Sequence, residues 1–516
     1  MFIRQEDRKP LEYKESEFPL REISQGGCLM SIWGWVAIGV VSGILLLVFV
    51  LTTRAFFFRG KKDEKGGIVP IDIDSEKAVL ALQALVQCET VSYFEKAKEK
   101  ETEFTRFNEV LQRFYPDVYK NCEVIKPSLR TLIFHLSGVG GDSIHAAIFT
   151  AHFDVVPAEA SRWLEPPFSG SRKNEFLYGR GTIDTKGTLN GILEAAEELL
   201  AKGFRPHHDF YFCFAGDEEI SGGSAKLSVD YLREKGIEPL FVLDEGGAVL
   251  DHAFPGFDQS AAFVGIAEKG VCAMEFHLDG EGGHASAPKP HSPIGKLASL
   301  AVDIERHPFP FHWNEPVIRL FDSLGRKTPF AYRLFFANAR FFTPLLSRIA
   351  RKVGGQFNAL FRTTVALTMM EGSPATNVIP SKAMIGVNIR IAPSESVQSV
   401  RRRMEQLAKK HHLEKGVRFV FGWEPSPIST TEGEGYEKIT KAIKETWGRE
   451  VLVSPYLMTA CADAHLYNEI SNKVYRFSPI HLQTADLEMI HGDNERLSEK
   501  QISETVGFYF RLMKSL

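Results

Sequence analysis

Three short runs of β-branched and aromatic residues, Ala146 to Thr150, Phe210 to Ala215 and Leu240 to Leu243, each break off into a polar cluster. Continuous apolar runs of this length predict strands buried on both faces of a parallel sheet. Between the first two, Leu189, Ile192, Leu193, Ala196, Leu199 and Leu200 recur at i, i+3, i+4 spacing up to Gly203. That period predicts an amphipathic helix starting just after Asp184. Strands alternating with helices imply an α/β fold with an open, mostly parallel sheet, which binds ligands at the carboxyl ends of its strands. Four polar clusters fall at that edge: His152 in TAHFDVV, Asp184 in GRGTIDTKG, Glu218-Glu219 in FAGDEEISGG and Asp244 in FVLDEGG. His491 in MIHGDNE follows a further apolar run.

After Asp244 the pattern changes. Strand-like runs at Gly270 to Leu278, Thr363 to Thr368, Ala383 to Ile391 and Val417 to Phe421 enclose two helical repeats, one through Ile294, Leu297, Leu300 and Ile304, the other through Val397, Val400, Met404 and Leu407. The order βαββαβ predicts a separate α+β lid. Between its first helix and second strand lies an aromatic-rich insertion, including Phe309, Trp313, Phe321, Phe330, Phe336 and Phe342, suited to packing on the lid, to an acyl-chain groove or to lipid contact.

Ser31 to Thr53 carries no charge. As a helix it would extend roughly 34 Å, enough for a hydrocarbon core of about 30 Å, and predicts a single transmembrane span. The expected organisation is a polar tail (1–30), the span (31–53), a charged linker (54–67), catalytic segments at 68–265 and 426–516, and the lid at 266–425. Arg54, Arg59, Lys61, Lys62 and Lys65 follow the span, whereas the nearest preceding base is Arg21. By the positive-inside rule this points the catalytic part to the cytoplasm.

Sixty-one basic against 65 acidic residues give a net charge of −4, which does not favour a nucleic-acid partner. The six cysteines are scattered and suggest no disulfide framework.

Two histidines and several carboxylates suit zinc, which takes imidazole nitrogen and carboxylate oxygen and keeps a position open in catalytic sites. An aspartate between two ions can bridge them, and Asp184 is the candidate. Asp154, two residues beyond His152 and on the same strand face, can approach the ring as an orienting carboxylate. In the Glu218-Glu219 pair one carboxylate can coordinate while the other acts as a general base on water.

These motifs resemble those of the dinuclear zinc exopeptidases that include aminoacylase, carboxypeptidase S and glutamate carboxypeptidase, and most nearly the carboxypeptidase S and N-fatty-acyl-amino-acid synthase/hydrolase branch. The likeness runs from about residue 70 to the end. It implies a zinc-exopeptidase fold and two zinc ions per chain, one held by His152 and Asp244, the other by Glu219 and His491, with Asp184 on both. Glu218 would be the base and Asp154 the orienting acid. The DEGG motif offers Glu245 as well, and Asp244 is favoured. In the lid, His284 in GEGGHASAP resembles the histidine that steadies the reaction's oxyanion, often from the partner subunit of a homodimer, while Asn377 in ATNVIP and Arg390 in NIRIAP resemble contacts to the substrate carboxylate. The implied activity is amide hydrolysis that frees an amino acid from an N-acyl or peptidyl group, with N-fatty-acyl amino acids or short peptides as substrates. Relatives in secretory or vacuolar compartments oppose the cytoplasmic orientation, so the membrane side stays open. An inactive, membrane-tethered binding protein is the alternative of another class; the complete ligand set opposes it.

Overall fold

The computed structural model describes residues 32–60, 67–254 and 256–516. The predicted polar tail and residues 61–66 of the linker lie outside these. The chain divides into two units, 1–53 and 54–516. Helix α1 (Ile32–Phe57) has 26 residues, about 39 Å at 1.5 Å per residue, and its apolar side chains through Val50 are exposed. It is long and apolar enough to cross a membrane and near enough to the N-terminus to be a signal sequence.

Past the last turn of α1, the second unit continues with α2 (Ser75–Val86), whose first turn is capped by the Asp74 carboxylate accepting from the Lys77 amide. It continues through α3 (Glu101–Phe114) and α4 (Pro116–Asn121) into the strands β1 (Glu123–Ser128), β2 (Thr131–Leu136) and β3 (His145–His152). A small pair, β4 (Arg172–Lys173) and β5 (Phe176–Tyr178), precedes α5 (Lys186–Ala201), the helix expected after Asp184. Then follow β6 (Asp209–Ala215), α6 (Ser224–Glu234), β7 (Glu238–Leu250) and β8 (Ala261–Glu268).

The lid runs from β9 (Gly270–Asp279), β10 (Gly283–His284) and α7 (Pro293–Arg306) through four helices, α8 (Glu315–Gly325), α9 (Phe330–Ala337), α10 (Thr343–Val353) and α11 (Gly355–Ala359). It resumes with β11 (Thr364–Glu371), β12 (Val378–Ile379), β13 (Lys382–Ile391), α12 (Val397–Lys410) and β14 (Val417–Trp423). The chain then returns through α13 (Glu434–Trp447), β15 (Leu452–Met458), α14 (Ala464–Tyr467), β16 (Val474–Leu482), β17 (Arg496–Ser498) and α15 (Glu499–Lys514).

The main sheet has the order β1-β2-β6-β3-β7-β16-β8-β15. Its centre is parallel, β6 with β3, β3 with β7 and β7 with β16, and β8 with β15 is parallel too, whereas β1 and β2 add an antiparallel edge. Phe149, Phe212 and Leu243 face a core shared with α2, α5, α13 and α15. Ile148, Cys213 and Val242 face the other side, under α6 and α14. Both faces are therefore covered, which is why the central strands read as unbroken apolar runs.

In the lid, β11-β13-β9-β14 form a four-stranded antiparallel sheet with α7 and α12 packed on it, the expected βαββαβ frame. The aromatic insertion becomes α8 to α11 and packs against β8 and β15 of the main sheet, with Phe311, Trp313, Phe321 and Phe361 clustered over Phe263 and Leu457. Phe309 instead joins the lid core.

Candidate metal centre and active site

Asp184 sits in the loop that enters α5, and its two carboxylate oxygens face different imidazoles. Oδ1 lies 3.0 Å from His152 Nε2 at the end of β3, and Oδ2 lies 3.0 Å from His491 Nε2. His491 Nε2 is also 3.1 Å from Glu219 Oε2, and His152 Nε2 is 3.5 Å from Glu245 Oε1. Two donor groups result, His152/Asp184/Glu245 and Asp184/Glu219/His491, each with its ligand atoms within 4.8 Å of one another. Asp184 belongs to both, which is the placement a bridging carboxylate requires.

Asp244 was the favoured ligand on sequence, but in the structure Glu245, not Asp244, stands in the donor group with His152 and Asp184. The register of β7 on β16 slips between Asp244, opposite Arg476, and Gly247, opposite Phe477. Glu245 and Gly246 thus form a bulge, with Gly246 at φ 144°, and Glu245 is re-aimed toward His152. Asp244 stays buried beside β16, its carboxyl pushed up to about 6 by burial, offset in part by the Glu245 amide and Arg476.

Asp154 lies against both the His152 ring and the turn after β6. Its backbone carbonyl accepts from His152 Nδ1 at 3.0 Å, while its carboxylate stands 3.5 Å from that nitrogen. The same carboxylate accepts from the backbone amides of Glu218 and Glu219 at 3.1 and 3.2 Å, fixing the turn that carries both glutamates. Burial holds the Glu218 carboxyl well above the usual carboxylate range, offset only in part by His152. Burial also raises Asp184, but His152 and His491 outweigh it and hold this group low.

Glu495 is a member of the site that sequence reading missed. Its carboxylate is fully buried and accepts from the backbone amides of Gly181, Ile183 and Asp184 and from Arg180 Nη1 at 2.7 to 3.1 Å. Arg180 in turn donates to the carbonyl of Gly492. One carboxylate therefore clamps the Asp184 loop to the segment carrying His491, which is itself held in the left-handed region at φ 58°. The signal was present in MIHGDNE, four residues after the histidine.

The lid residues lie outside both donor groups. His284 lies on β10 and Asn377 directly precedes its partner strand β12, where the Ala285 amide donates to the Asn377 carbonyl at 3.0 Å. The His284 ring is exposed and meets Ser286 Oγ at 2.7 Å. Arg390, half-buried on β13, reaches Cys461 Sγ at 3.1 Å in the loop after β15. His481 bonds Asp251 and His465 stacks on Trp423, structural partnerships apart from the metal groups.

A sequence model of peptidase family M20/M25/M40 matches residues 148–515. The chain belongs to the M20 peptidases. The N-fatty-acyl-amino acid synthase/hydrolase PM20D1.1 of Danio rerio is 34% identical over 488 residues, covering 92% of this chain and 93% of that protein. The probable carboxypeptidase S-like 2 of Dictyostelium discoideum is 32% identical, covering 92% of each. Among solved structures, the M20 metallo-carboxypeptidase Sso-CP2 of Sulfolobus solfataricus superposes with a TM-score of 0.60 at 16% identity, over 85% of this chain and 98% of that one.

M20 peptidases are dinuclear zinc enzymes, and this donor set fits two ions. Two imidazoles and three carboxylates suit zinc. Glu219 Oε1 is buried without a hydrogen-bond partner, as befits an oxygen placed for a cation. The protein is a zinc-dependent hydrolase of the carboxypeptidase and aminoacylase type.

Proposed function

We propose that this M20 enzyme frees an amino acid with an intact carboxylate from an N-acyl group, with long-chain N-acyl amino acids as its principal substrates. The observation that carries the hydrolytic reading is Asp184 shared between His152 and His491 beside a half-buried, desolvated Glu218. The acyl reading is supported by the Danio rerio relative, named as an N-fatty-acyl-amino acid synthase/hydrolase.

His152 and Glu245 would hold one ion, Glu219 and His491 the other, and Asp184 both. Bound zinc would polarise the scissile carbonyl and acidify a water at the site. Glu218 takes the proton of the attacking water and hands it to the leaving nitrogen. Its backbone is fixed by Asp154, so the base needs no reorganisation as the proton moves. His284 donates to the developing oxyanion, Arg390 grips the substrate carboxylate with two parallel bonds, and Asn377 assists it. Because His284 lies outside the donor groups of its own chain, we assign it to the partner's site in a homodimer joined through the lids. Helix α1 serves as a membrane anchor, a role its length and apolar surface support.

A panel of N-acyl amino acids of increasing chain length, run beside dipeptides with zinc present, tests the substrate class. Each buried methylene contributes about 0.8 kcal/mol, so two added carbons should raise kcat/KM roughly tenfold until the acyl site is filled. Cleavage of dipeptides with none of fatty-acyl substrates would overturn the acyl reading in favour of a carboxypeptidase.

A further inference from the structure

Helix α10 has two apolar faces. Leu346 and Ala350 are buried in the core beneath the insertion. Leu345, Ile349 and Val353, spaced i, i+4 and i+8, form a second line that is 51%, 41% and 67% exposed. Phe330, Tyr332 and Phe341, on α9 and the following turn, are also 42 to 53% exposed. Solvent-facing aromatic and aliphatic side chains gathered on two consecutive helices and the turn between them mark an interaction surface.

The charge of the segment identifies the partner. Between Asp322 and Glu371 the sequence has eight Arg or Lys and no Asp or Glu, in a chain whose net charge is −4. Arg348 and Lys352 of α10 are exposed among the apolar positions, and Arg340 precedes the helix. An apolar stripe whose own segment supplies only cations suits a helix lying in the plane of an anionic bilayer surface.

Chain continuity points the same way. The residues leaving α1 are fastened to the base of the insertion: the Gly60 amide donates to the Arg326 carbonyl at 3.1 Å, and the Arg326 guanidinium stands 4.6 Å from the Phe58 ring centroid. With α1 as an anchor, these residues lie at headgroup level, and the start of α9 is four residues beyond Arg326.

We infer that α9 and α10 form a peripheral lipid-binding face that docks on anionic headgroups and inserts Leu345, Ile349 and Val353 into the acyl boundary. The inference rests on the anchor reading of α1 and adds a second, electrostatically selected contact. It would hold the hydrolase against the surface in which long-chain acyl substrates partition.

The test uses the full chain carrying Ile349→Cys, labelled with an environment-sensitive fluorophore and reconstituted into vesicles of phosphatidylcholine alone or mixed with phosphatidylserine. The labelled parent without the added cysteine supplies the background. The expected result is a blue shift of emission in phosphatidylserine vesicles, reduced by high salt and lost in an Arg340→Glu/Arg348→Glu/Lys352→Glu variant. Flotation of the same samples reports the α1 anchor separately. A chain that floats while the probe keeps its aqueous emission in both lipids overturns the docking face and leaves the anchor standing. An equal shift in both lipids, insensitive to salt, overturns the anionic selection. A shift that grows with protein density in phosphatidylcholine alone assigns the face to a second copy of the chain and also overturns the proposal.

Discussion

Asp244 and Glu245 are adjacent acids with different surroundings. The bulge at Glu245–Gly246 turns one toward His152, while the other remains beside Arg476. Glu245→Gln removes an anionic donor from the His152/Asp184 group and should lower the affinity of one zinc by at least about 10–100-fold, the loss associated with removing even an outer partner. Asp244→Asn should retain both ions. Metal analysis after dialysis against a weak chelator distinguishes them, and the reverse pattern would restore Asp244 as the ligand. This is where residue-level reading ran out. His152, Asp184, Glu219 and His491 were legible because each follows an apolar run or precedes a helix, but DEGG offers two carboxylates, and a bulge leaves no periodic trace in one strand's sequence. Asp154 was legible as a partner of His152, whereas its bonds to the Glu218 and Glu219 amides depend on β6 lying beside β3.

At the scale of elements, the loop before α5 and the segment before β17 function as one part because Glu495 joins them. Glu495→Gln would leave Arg180, with a side chain only 3% exposed, without its charge partner. Breaking a buried pair on one side costs about 3–5 kcal/mol. Denaturant unfolding should show a loss of that order, and kcat should fall through misplacement of Asp184. Stability within about 0.5 kcal/mol of the parent, the range of ordinary surface substitutions, would remove Glu495 from this role. Sequence periodicity captured β3, β6 and β7 of the main sheet and the lid's βαββαβ frame, and left the flanking strands of the main sheet unassigned. It found the aromatic insertion without its destination, since docking of α8 to α11 on β8 and β15 is a long-range choice that local spacing does not encode.

For the whole molecule, the proposed mechanism has the lid and the metal centre cooperate, and His284 is the residue that tests whether they would do so across subunits. His284→Ala should depress turnover severely while zinc stays bound, because this residue is assigned to the transition state and not to the metal. Mixing that variant with Glu218→Gln should restore activity if subunits exchange, since one site of a mixed dimer then has both an intact Glu218 and the partner's intact histidine. Mixed dimers that form and remain inactive would confine His284 to its own chain or remove it from catalysis. The proposed mechanism depends above all on the half-buried Glu218 carboxylate acting beside a two-zinc centre. Zinc content and amide hydrolysis measured together on Glu218→Gln test that directly. The predicted result is zinc at the parent's level with turnover reduced by about 10²–10⁴-fold, the contribution of a positioned base; near-parental hydrolysis with zinc retained would contradict it.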